Sequence, residues 1–146
     1  MTIRLVIFLT AISSLFSVAC QKKISIEKDS GILYTCSKTN YGDSESLAKG
    51  LVGDWRWVEA STEKVTCKDK TIRLVFQPDG TCRLTDNGQE ISSGPWSLKK
   101  TEEQIFILIV KSPTVYTHGR VLLCGDDLLF NNSMLDGWDN LFQRIR

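Results

Sequence analysis

Five cysteines, one histidine and two short acidic clusters are the residues of this 146-residue chain whose types could do chemistry. His118 is the sole histidine, and Cys36, Cys67, Cys82 and Cys124 lack C-x-x-C spacing, so no zinc set is assigned. Asp126-Asp127 and Asp136-Gly137-Trp138-Asp139-Asn140 offer oxygens of the kind calcium takes. Without a twelve-residue ligand loop they read as turns. Ser112 and Thr117 lie near His118 but have no nucleophile context such as G-x-S-x-G. No catalytic residue, metal or cofactor is assigned, and the chain is not expected to be an enzyme.

Cys20 has a different setting from the other four. Arg4 gives a short positive start, Leu5 to Phe16 is mostly apolar, and Ser17-Val18-Ala19 supplies small residues at a cleavage site. That order describes a secretory signal over residues 1–19. Its apolar run is shorter than the roughly 20 residues a membrane helix needs. Phe16-Ser17-Val18-Ala19-Cys20 resembles the lipobox of bacterial lipoproteins, in which the cysteine is acylated and becomes the new N-terminus. Ser17 stands where Leu is usual, and the same residues would suit ordinary secretion with cleavage before Cys20. Lipidation of Cys20 is preferred because it leaves an even four cysteines for an oxidising compartment. Gln21 after the cysteine resembles outer-membrane sorting.

Charge excludes one class of partner. Lys and Arg number 18 against 17 Asp and Glu, and loss of Arg4 with the leader balances them. No basic stretch is interleaved with stacking aromatics, so nucleic acid is not an expected partner.

The elements that must position any site follow from periodicity. Residues 20–43 read as a lipidated tether and lead, in which the apolar Ile32-Leu33-Tyr34 beside Cys36 leaves open whether the later half packs on the domain or is a linker. Ser44 to Gly50 reads as one or two helical turns with a cap-like serine. Residues 44–146 form the domain. In Gly53-Asp54-Trp55-Arg56-Trp57 both indoles fall on one face of a strand and both charges on the other. Ile72, Leu74 and Phe76 alternate next, followed by the turns Pro78-Asp79-Gly80 and Asp86-Asn87-Gly88 around a strand bearing Cys82 and Leu84. Gly94-Pro95-Trp96 marks a strand start or a bulge. Gln104 to Lys111, almost wholly apolar, is expected to be covered on both faces, and Thr117–Cys124, Asp127–Asn131 and Asp139–Ile145 supply three more strands. Eight short strands at hairpin spacing predict an all-β, eight-stranded antiparallel up-and-down barrel with a short N-terminal helical turn.

From about Leu47 to Arg146 the chain resembles the lipocalin-like lipoproteins, small barrels of the calycin group. Gly53-Asp54-Trp55 is similar to the G-x-W that opens the first strand in that family, and Leu141-Phe142-Gln143-Arg144 resembles its closing strand. The resemblance implies that Trp55 and Arg144, with Gly53, close one end of the barrel by cation–π contact and hydrogen bonds. Arg146 is the substitute if the register is off by two. Phe76 to Thr81 and Gly94 to Leu98 are also similar to segments of small bacterial members. The mature chain is short for a classical lipocalin, which limits the room for a ligand.

With strands alternating in direction, Cys82 and Cys124 fall at the Gly53 end and Cys67 at the other. The strand between Cys67 and Cys82 spans about 20 Å, too far for a disulfide. Cys36–Cys67 with Cys82–Cys124 is therefore preferred over Cys36–Cys124 with that remainder. Inward aromatic residues Trp57, Phe76 and Trp96 either fill the interior or line a pocket, Trp57 being the first choice of wall residue. The expectation is an envelope-anchored binder of a small apolar or amphipathic molecule. The alternative is a filled structural barrel that presents its loops to a protein partner, and secretion is the alternative location.

Overall fold

The computed structural model describes residues 21–22, 26–61, 65–67, 70–132 and 137–146. For residues 21–22, 26–30 and 65–67 it describes the backbone alone. The leader, its cleavage site and Cys20 lie outside these residues. Strands are β1 (Gln21–Lys22), β2 (Gly53–Ser61), β3 (Val65–Cys67), β4 (Ile72–Phe76), β5 (Thr81–Asp86), β6 (Gln89–Lys100), β7 (Phe106–Val110), β8 (Arg120–Cys124), β9 (Asp127–Asn131) and β10 (Asp139–Arg144). Helices are α1 (Ile26–Asn40) and α2 (Ser44–Leu51).

Antiparallel pairing runs β2-β10-β9-β8-β7-β6-β5-β4, and β4 returns to β2, so eight strands close a barrel. The short β3 and β1 extend the far end of β2. Alternation explains the walls. Trp55 and Trp57 on β2, Ile72, Leu74 and Phe76 on β4, and Cys82 and Leu84 on β5 are buried in one core. On the outer wall Arg56 is exposed, and the Asp54 carboxylate accepts from Arg73 Nε at 2.6 Å and from its Nη2. Asn87 and Gly88 adopt φ of 50° and 81°, the left-handed pair that a two-residue hairpin requires.

Pro95 lies inside β6, which is a single strand from Gln89 rather than one beginning at Gly94. It falls at the handover, where β6 stops pairing with β5 at Pro95 and begins pairing with β7 at Trp96. A residue without an N–H is tolerated at such a break.

Double-sided cover falls elsewhere than on Gln104–Lys111. On β7 Phe106 and Leu108 are buried, but Ile109 is exposed. The strands buried on both faces are β8 and β9. Val121, Leu123, Leu128 and Phe130 enter the barrel core, while Leu122 and Leu129 form an outer cluster with Leu33 of α1. Helix α1 is thus a packed element of the fold, made from the stretch that read as tether and lead.

The helix also explains why the preferred cysteine pairing fails. It brings Cys36 against β8, and Cys36 is joined to Cys124 with their Cα atoms 5.6 Å apart. Ser37, the next residue, accepts a hydrogen bond on Oγ from Leu123 N at 3.1 Å. Strand β8 needs that partner because its register with β7 is limited to Ile107 opposite Arg120. Cys82 is a buried free thiol inside the barrel, and burial pushes its pKa up. Cys67 takes its backbone place in β3, opposite Ala60.

Candidate functional site

At one end of the barrel the polar groups of Trp55 and Arg144 are committed to closure. Arg144 lies directly across from Trp55 in the β10–β2 register, and its guanidinium sits 4.1 Å from the indole centroid. The same guanidinium donates to Val52 O at 2.8 Å and to Gly50 O, carbonyls at the end of α2 that the helix itself leaves unpaired. Trp55 Nε1 donates to Leu51 O at 2.8 Å. Gly53 has φ of 142°, and a Cβ there would run into Arg144 Nη1. Arg146 instead pairs with Asp126 at the surface.

Helix α2 plugs this end with Leu47 and Leu51, both fully buried. Its N-cap is Asp43, one residue before the cap-like serine. Asp43 Oδ1 accepts from Ser46 N at 2.8 Å and Glu45 N at 2.9 Å, which holds its carboxyl below the ordinary range, the Ser46 backbone bond contributing most. Phe76, opposite Gly53, belongs to this end as well. Trp96 meets it edge to face with centroids 4.9 Å apart, and among the described residues Trp96 Nε1 is buried without a partner. Phe76 is buried in the core and Trp96, partly buried, packs against it; neither borders the cavity at the other end.

The other end is open. A cavity of about 260 Å³ is lined by Trp57, Ala60, Lys70, Tyr116, Trp138 and Asn140, with Val115 at its rim. Of the three aromatic residues picked out as possible walls, Trp57 alone reaches it. Asn140, 1% exposed, organises the mouth. Its Oδ1 accepts from Trp57 Nε1 at 3.1 Å, and its Nδ2 donates to Val115 O at 2.9 Å and Trp138 O at 3.2 Å. One side chain therefore ties β2 and the approach to β10 to the β7–β8 loop, which lies across the opening.

Lys70 donates from Nζ to the Tyr116 hydroxyl at 2.9 Å. That bond is the main influence raising the lysine pKa, burial opposes it, and charge on Tyr116 and Asp86 adds to it. Lys70 is the only charged side chain lining the cavity among the described residues. His118, in the same loop, is exposed.

Sequence reasoning missed Lys70, Tyr116, Trp138 and Asn140. The first three stand outside the strands, so no period of two marks them. Asn140 was read both within an acidic turn cluster and in the last strand; its signal would have been a buried amide partner for the inward Trp57, which neighbouring strands do supply.

The geometry defines a class: a closed eight-stranded antiparallel barrel, packed at one end and open to a small aromatic cavity at the other. Comparison with known protein families, with curated proteins and with solved structures found no match.

Proposed function

We propose that this barrel binds a small apolar or amphipathic molecule at its open end, as a lipocalin-like protein of the bacterial cell envelope. The observation that supports this reading is the cavity bordered by Trp57, Tyr116 and Trp138, with a buried amide to orient its wall and one cation at its rim. Ligand sites combine apolar surface with a few placed polar groups in this way. Native mass spectrometry of protein purified gently from its own envelope tests it. A co-purifying small molecule, absent from Trp57→Ala, supports binding; a folded protein that carries nothing and takes up no aromatic probe favours the filled structural barrel instead.

The anchor is a separate proposal, resting on the likeness of residues 16–20 to a lipobox. The even count of cysteines left after Cys20 does not favour it. With Cys36 joined to Cys124 and Cys82 a buried thiol, reserving Cys20 for lipid leaves Cys67 without a paired cysteine. A second reading is free secretion with Cys20 joined to Cys67, and the backbone pairing of Gln21 with Thr66 supports it. Intact-mass measurement separates the two. An acylated Cys20 in the membrane fraction supports the anchor, whereas a soluble chain with Cys20 joined to Cys67 supports secretion.

A further inference from the structure

We propose that the ligand of the open cavity is a small aromatic carboxylate, its ring held among Trp57, Tyr116 and Trp138 and its anionic group on Lys70 and the Tyr116 hydroxyl. This rests on the reading of the open end as a binding site and narrows its ligand class.

Size sets the first limit. A cavity of about 150 Å³ suffices for benzene, so about 260 Å³ holds one or two fused rings with a short polar group. It falls below the roughly 300–1,000 Å³ of sites that enclose drug-sized ligands, and a long acyl chain has no room in it. The aromatic walls set the second limit. Flat rings gain from offset or edge contact with Trp and Tyr beyond the area they bury.

Charge sets the third. The buried amide of Asn140 is spent on Trp57, Val115 and Trp138. Tyr116 can still donate its hydroxyl hydrogen, because its oxygen accepts from Lys70. Lys70 has further N–H donors on its ammonium. The free donors therefore sit side by side on a cationic rim, and a carboxylate is the group that would take both. Asp86 is the nearby acid that acts on Lys70. It lies outside the cavity lining, so it steadies the ammonium without occupying the donor positions.

The test is calorimetric titration of the full mature chain with 2-naphthoate and with its neutral isostere 2-naphthamide. Naphthoate is expected to bind about five- to tenfold more tightly. Lys70→Met should bring the ratio of the two affinities close to one, and Lys70→Arg should keep most of the preference. Equal binding of both probes by the unmodified chain, or a preference that survives Lys70→Met, overturns the proposal and leaves the binding site standing. Failure of both probes to bind overturns the site together with its ligand class.

Discussion

Trp55 and Trp57 are two residues apart on the same face of β2, yet they serve opposite ends of the barrel. Trp55 is fully buried beneath the Arg144 guanidinium, and its indole N–H is bonded to the backbone of α2. Trp57 gives its N–H to a side chain, Asn140, and turns its ring to a cavity. At the closed end Trp55 and Arg144 spend their donors on backbone carbonyls. The open end keeps Lys70 and Tyr116 at a solvent-facing rim. Burial of a large ring is thus common to both, and what separates architecture from a candidate site is whether the surrounding donors are used up.

The comparison can be broken most severely at the closed end. Trp55→Ala removes a fully buried indole and orphans the guanidinium above it, so chemical denaturation should show a loss of about 4 kcal/mol. A loss no greater than that of Trp57→Ala would erase the distinction between the ends. Joint replacement of Cys36 and Cys124 by serine removes the covalent tie of α1 to β8 and opens a crosslink across a separation of 88 residues, for an expected cost of about 3 kcal/mol. Ligand affinity should survive that change under native conditions, since neither cysteine borders the open cavity. Arg144→Lys keeps the charge but lacks the fork that reaches both Gly50 O and Val52 O, and about 2 kcal/mol should be lost. The smallest effect concerns Cys82. With its pKa raised by burial, it should resist thiol reagents in the folded protein and react on unfolding; rapid labelling of the native chain would contradict the packed interior.

The barrel strands were legible in the sequence because one wall faces water, and alternation such as Ile72-Arg73-Leu74 records that directly. Gly53, Trp55 and Arg144 were legible through the resemblance of two short motifs, and the structure places them against one another. Helix α1 was not legible. It buries Leu33 and Ser37 while Ile32 and Tyr34 stay exposed, so it carries too narrow an apolar stripe to show a helical period. Missing it misled the cysteine pairing, since nothing else carries Cys36 to β8. The unbroken runs Val121-Leu122-Leu123 and Leu128-Leu129-Phe130 were the available sign that something covers those strands from outside. Phe76 and Trp96 were picked out as possible pocket walls because type alone does not tell a filling ring from a lining one; their height along the barrel decides it. The rim was beyond reach of periodicity, because Lys70, Tyr116 and Trp138 meet only when three separate connections converge.

The four tryptophans, Trp55, Trp57, Trp96 and Trp138, allow the division between the ends to be read in a single spectrum. Each contributes one indole N–H resonance to a nitrogen-15 correlation map, assignable by single Trp→Phe replacements. Titration with 2-naphthoate should shift the Trp57 and Trp138 resonances and leave those of Trp55 and Trp96 in place. Movement of Trp55 and Trp96 with Trp57 and Trp138 unchanged would contradict the account, as would four resonances that never respond.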